Sequence, residues 1–154
     1  MSFLVTLHVL AATIWVGGMF FALLALRPAA AIAVEADQRP LLWCHTLSRF
    51  FLWVWISAIT LLVTGYGMIG MVFGGMANVG WHVHLMQLTG IAMMLLFLHV
   101  WFAPYRKLKR AVADKDWAAG RQQLESIRKF VGMNLVLGLL TIIIGAGGRY
   151  LGSL

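Results

Sequence analysis

Residues 3–26 read FLVTLHVLAATIWVGGMFFALLAL, a run of 24 residues with no Lys, Arg, Asp or Glu that stops at Arg27-Pro28. A helix rises about 1.5 Å per residue, so a run of this length crosses the roughly 30 Å hydrocarbon core of a bilayer. Hydrocarbon offers no partner to a backbone N–H or C=O, so such a run has to be helical. Three further runs follow: 41–73 (free of charge from Phe50 to Phe73), Val83 to Tyr105, and Phe130 to Gly148. The expected fold is all-α: an integral membrane four-helix bundle with helices at about 3–26, 41–73, 83–105 and 130–148. The longest polar stretch, Arg106 to Lys129, is only a connector, so residues 1–154 are expected to form a single domain.

Composition agrees. Of the 154 residues, 62% are apolar and 11% charged, whereas a water-soluble domain carries roughly 25% charged residues. The apolar run at the N-terminus is followed by Ala29-Ala30-Ala31, which invites a signal-peptide reading. No Lys or Arg precedes the run, and it exceeds the apolar segment of about 7–15 residues in such peptides, so retention is expected.

Eleven of the twelve basic residues lie in two connectors. Arg27, Arg39 and Arg49 lie in 27–49; Arg106, Lys107, Lys109, Arg110, Lys115, Arg121, Arg128 and Lys129 lie in 106–129; Arg149 alone falls on the other side. By the positive-inside rule both connectors face the cytoplasm and both termini lie outside. The net charge of +7 is thereby a topology signal beside anionic headgroups, and it implies no nucleic-acid partner. The predicted location is a bacterial-type inner membrane, crossed several times. A single cysteine, Cys44, excludes an internal disulfide or a paired-cysteine metal motif, and it reads as a small buried residue.

Connector 27–40 is bracketed by Pro28 and Pro40, and its alanine-rich middle suggests a short surface helix. Connector 106–129 alternates charges with Leu108, Val112, Trp117, Leu124 and Ile127, which suits an amphipathic helix or extensions of the third and fourth spans. Residues 74–80, Gly-Gly-Met-Ala-Asn-Val-Gly, form a tight turn that makes spans two and three antiparallel neighbours. Gly17-Gly18 in the first span, and Gly138 and Gly145 seven residues apart in the fourth, mark close helix contacts. Such faces also suit a flat macrocycle between helices.

All five histidines, His8, His45, His82, His84 and His99, lie in or beside the apolar runs. Ionisable groups in that setting are functional candidates by default. With both termini outside, His8 lies roughly 8 Å below the outer surface, in the same layer as His82 and His84, and His99 lies roughly 22 Å deeper than His84. His45 starts the second span from the inner side. Two layers, each with histidines from two helices, provide what bis-imidazole haem ligation requires. His8 with His84 is the expected outer pair and His99 with His45 the inner one. His84 and His99 differ by about 60° around their helix, whereas His82 points nearly opposite His84. Arg49, one turn from His45, reads as an interface arginine or as a partner for a propionate. Trp15 and Met19, with the stripe Asn134, Thr141, Gly145 and Gly148, would line a cleft or simply pack. Met68, Met71 and Met76 gather near His82 at the outer end of span two, and thioether with imidazole suits Cu(I).

The stretch Leu7-His8-Val9-Leu10-Ala11-Ala12-Thr13-Ile14-Trp15-Val16-Gly17-Gly18-Met19-Phe20 resembles the first core helix of the CopD copper-resistance membrane family. The third span, from His84-Leu85-Met86 through His99 to Pro104-Tyr105-Arg106, resembles it too, as does Gly145-Ala146-Gly147-Gly148-Arg149-Tyr150. A similar helix with His, Trp and Gly occurs in HemJ-type protoporphyrinogen oxidases. The CopD resemblance implies copper transport at the inner membrane, and the HemJ resemblance implies haem b bound at His8. The HemJ pattern also has a lysine shortly after a Trp-x-His, whereas Trp81-His82-Val83-His84 here is followed by no lysine before Lys107.

The residues lead to an expected haem b protein passing electrons between a quinone, or another redox partner, and an outer acceptor. It would hold one or two haems, as a membrane oxidoreductase or carrier. The alternative is copper transport or handling through Met68, Met71, Met76, His82 and His84, with His99 and His45 deeper. A purely structural subunit is the third reading. Glycine faces also suit a homodimer.

Overall fold

The structure, a computed structural model, describes residues 2–72 and 74–151. Helix α1 spans Ser2–Ala33, α2 Arg39–Val72, α3 Trp81–Phe102, α4 Pro104–Ala113 and α5 Trp117–Leu151. A 3-10 turn, Met76–Asn78, lies between α2 and α3. The described residues contain four helical stretches long and apolar enough to cross a membrane, and no strand. The fold is therefore the all-α four-helix membrane architecture that hydropathy predicts. Phe73, the last residue of the second predicted span, lies outside the described residues, as do the side chains of Arg149 and Tyr150.

Three of the four spanning helices, α1, α2 and α5, overrun the predicted spans at the basic end, because apolar content marks where lipid begins but not where a helix stops. Helix α1 runs on through Arg27 and Pro28 to Ala33. Pro28 has no N–H, and its ring would collide with the carbonyl one α-turn back, that of Leu24. The chain accommodates it with a π-turn over Ala22–Leu26, where the Arg27 N–H reaches the Ala22 carbonyl. At the far end of α3, Ala103 leaves helical geometry (φ −108°, ψ −88°), as a residue preceding proline tends to. Helix α4 restarts at Pro104 and turns its Tyr105, Leu108 and Ala111 face inward. It closes at Lys115 (φ 56°), where the Asp116 N–H reaches the Ala111 carbonyl at 2.8 Å. Asp116 Oδ1 then accepts the Ala119 N–H at 2.9 Å and caps α5. Connector 106–129 thus becomes both forms anticipated for it: a separate amphipathic helix and an extension of the last span.

Backbones approach closely in two pairs, α1 with α2 and α3 with α5, joined by contacts of α5 with both α1 and α2. The close approaches are made at glycine. Gly18 accommodates the Phe50 ring, Gly138 accommodates Val16 and Met93, and Gly145 accommodates Met86. Between α2 and α3, long side chains span a wider gap. Phe51 and Trp55 pack edge-on against Phe97 and Trp101, and Phe51 also meets Tyr105 at 4.9 Å between ring centroids. The two helices are neighbours in the fold, as the short turn implies, but aromatic rings rather than backbone contacts join them. The aromatic core occupies the half of the bundle nearer the basic end. Toward the glycine turn the helices are linked by polar bonds instead.

Candidate metal-binding site

His8 lies on the α1 face turned to α2, half-buried, with Gly65 leaving room for its ring: an added Cβ there would stand 3.4 Å from His8 Cε1. Its Nδ1 is 2.8 Å from Thr64 Oγ1. Thr64 is buried, and its hydroxyl lies 2.6 Å from the Thr60 carbonyl oxygen one turn back. A hydroxyl has one proton to give. The shorter bond takes it, since the Thr60 carbonyl can only accept. Thr64 Oγ1 therefore accepts from His8 Nδ1–H, which leaves Nε2 with a free lone pair. A metal-binding histidine has this arrangement: one ring nitrogen held by an outer partner, the other unprotonated.

The other histidines are set differently. His84 is exposed on α3, and no hydrogen bond or ring contact links it to His8 or to any described residue. His82, half-buried, occupies the notch at Gly148 of α5, where an added Cβ would stand 2.5 Å from its own Cβ, and Trp81 meets it edge-on at 6.1 Å. At the other end His99 is exposed and packed on Phe130 of α5 at 4.5 Å between centroids. His45 is exposed on α2, and only its carbonyl is engaged, by the Ser48 hydroxyl. Met71 is 82% exposed, Met76 is exposed on the glycine turn, and Met68 is half-buried one turn beyond Thr64 on the same face of α2. Among the described residues no three His, Cys, Asp or Glu side chains converge on one point.

The polar stripe of α5 divides into parts. Thr141 bonds Thr89 of α3 at 2.7 Å between hydroxyl oxygens, and Gly145 and Gly148 are packing notches for Met86 and His82. Asn134 is 4% exposed, with its Oδ1 unpaired, at the wall of a cavity of about 10 Å³ beside Trp15, Met19 and Phe51. That volume holds no more than one water, and Trp15 and Met19 are packed in the core beside it. A second polar bridge, Gln87 Nε2 to Tyr66 Oη at 2.8 Å, ties α3 to α2 near the level of Thr64.

Thr64 escaped the reading of the sequence, because a threonine in an apolar run satisfies its hydroxyl on the preceding turn wherever it stands. The signal was the spacing Thr60, Thr64, Met68, which puts hydroxyls and a thioether along one face.

Four lipid-spanning helices and an imidazole held ready at one nitrogen define a multi-pass membrane protein with a candidate metal ligand. The pattern of the family described as Copper resistance protein D matches residues 44–147, about two thirds of the chain, and the chain belongs to that family. The matched stretch carries Thr64, Met68, His82, His84 and His99, while His8 lies on the helix before it. Comparison with curated proteins and with solved structures yields no significant match. The family description speaks of copper resistance; the leading expectation, haem, has no support in it, and the copper alternative does.

Proposed function

We propose that this protein handles copper within the membrane, with His8 Nε2 as the principal ligand. The carrying observation is the His8–Thr64–Thr60 relay, which fixes the tautomer and orients the ring. Family membership supports copper as the ion. Imidazole and thioether together favour Cu(I). Met71 and Met76, exposed near the glycine turn, offer sulfur where an ion arrives, and Met68 offers it one turn nearer His8. His82 and His84 stand at the same end, and His99 and His45 extend the donors toward the basic end.

The same Nε2 would serve haem iron, with His84 across the macrocycle, in the electron-transfer reading. One sample separates the two. The protein is purified in mild detergent, titrated with Cu(I) against a chromophoric chelator under reducing conditions, and scanned in the visible range. The expected result is a colourless protein that binds Cu(I), weakened at least ten-fold by His8→Ala. Thr64→Val keeps the shape but loses the acceptor, and should weaken binding about ten-fold, as loss of an outer-shell partner does. A b-type spectrum lost in His8→Ala would replace copper by haem. Unchanged Cu(I) affinity in His8→Ala would overturn the assignment of His8.

We propose further that the basic end faces the cytoplasm of a bacterial-type inner membrane, with both termini outside. With Cys44 replaced by serine, Lys115→Cys should react with an impermeant maleimide only in inside-out vesicles, and Ser2→Cys only in right-side-out cells. The reverse pattern would invert the orientation.

A further inference from the structure

At the basic end, α1, the start of α2 and the start of α5 enclose a groove of about 360 Å³. Four arginines line it, Arg27, Arg39, Arg121 and Arg128, against one carboxylate, Glu125. Their partners differ. Arg39 spends Nε and Nη2 on the Val34 and Ala31 carbonyls, capping the end of α1 at 2.9 and 2.7 Å. Arg121 pairs with Asp37 and Arg128 with Glu125. The Arg27 guanidinium has no hydrogen-bonding or ionic partner among the described residues. With both carboxylates counted, two positive charges remain uncompensated at the mouth. Deeper in, the lining is apolar, with Trp43, Leu47, Phe50 and Val131. The π-turn over Ala22–Leu26 forms one wall, and π-turns often occur where a helix serves a ligand.

We propose that this groove binds one anionic phospholipid, its phosphate held at Arg27 and Arg39, the two guanidinium groups with no carboxylate partner, and its first acyl methylenes on the Trp43–Phe50 floor. Three features select this occupant. The charge is complementary to a phosphate and planar guanidinium donors match its oxygens. The groove stands at the end of the apolar spans, where headgroups lie. Polar mouth and apolar floor follow in the order that a lipid presents headgroup and chain. The inference does not depend on the copper reading.

Native mass spectrometry of the purified full chain tests it, with dioleoyl-phosphatidylglycerol or dioleoyl-phosphatidylcholine added in equal amounts. One phosphatidylglycerol per chain should be retained, at several-fold higher occupancy than phosphatidylcholine. Arg27→Gln, at an exposed position without a partner, should lower its affinity about five-fold, from roughly 1 kcal/mol per basic group near anionic lipid. Ala31→Leu, exposed on the groove wall, should lower it by obstructing the floor and not by charge. Arg106→Gln, whose guanidinium stacks on Phe102 outside the groove, should leave it unchanged. Equal retention of the two lipids, or retention unaffected by both Arg27→Gln and Ala31→Leu, would overturn the proposal. Displacement of the lipid by millimolar inorganic phosphate alone would assign the site to a free anion and overturn it as well.

Discussion

Gly138→Leu is expected to prevent α1 and α5 from closing, and so to leave two helix pairs without a stable bundle. A Cβ at this position would lie 2.7 Å from Val16 Cγ2 and 3.1 Å from Met93 Cε. Both neighbours are buried, so neither can swing into lipid. Overpacking of a filled core costs about 1–3 kcal/mol and occasionally more, and leucine adds three carbons beyond the Cβ. The place matters as much as the clash. In lipid, helices gain nothing by hiding apolar surface from a solvent just as apolar, so association rests on close packing. The α1–α5 approach is one of the contacts that join the two closely packed pairs, beside those of α2 with α5 and α4. The effect should be about 3 kcal/mol, a large share of a margin of roughly 5–15 kcal/mol. Tryptophan fluorescence during denaturing-detergent titration measures it, and loss of a monodisperse peak in size-exclusion chromatography is the accompanying sign. Gly132, which has nothing within 4 Å of an added Cβ, is the control, and Gly132→Ala should leave the midpoint unchanged or raise it. Equal midpoints for Gly138→Leu and the parent would refute the account of the seam.

Phe51→Ala should cost about 2–3 kcal/mol, the second-largest effect. Phe51 is 2% exposed and meets four rings: Phe50, Phe97, Trp101 and Tyr105. In water such a truncation costs about 3–5 kcal/mol, part of it lost transfer energy. Within a bilayer that part falls away, and what remains is the cavity and the lost edge-to-face contacts. The loss falls where α2 and α3 depend on side chains to meet, so these helices should separate first. Phe51→Leu, which keeps most of the volume, should recover more than half. A midpoint for Phe51→Ala within 0.5 kcal/mol of the parent, about the scatter of surface substitutions, would place the aromatic cluster outside the stabilising core.

The membrane helices could be read from the sequence because hydropathy over twenty residues is a sum to which neighbours contribute alike. Their ends could not. The charged residues after Leu26 and before Phe130 mark the limit of lipid, yet helical hydrogen bonding continues on both sides through Ala33 and back to Trp117. His8 was legible as an ionisable group inside an apolar run. The acceptor that decides its tautomer was not, since Thr64 is 56 residues away and becomes a partner only when α2 packs beside α1. Spacing placed His82 and His84 on opposite sides of one helix, as found, but cannot tell which side faces the bundle. Gly148 opens the notch that receives His82, so His84 is the one turned outward. The arginine groove stayed hidden because its residues come from three separate segments, each of which reads alone as a topology signal.

The π-turn at Ala22–Leu26 has a bearing on how this chain tolerates insertions and deletions. Such a turn is in effect one residue more than an α-helix needs. Deleting one residue from 22–26 would remove that surplus and leave Arg27 and Ala30 at about the same angle around the helix axis, but it would bring Pro28 back against the carbonyl four residues before it. Ala30 would keep its buried position and Arg27 its place at the groove mouth, so the deletion acts on the backbone at Pro28 and not on the groove. The length of this pentapeptide is therefore tied to Pro28, and the burial of Ala22 on the groove wall limits what can replace that residue.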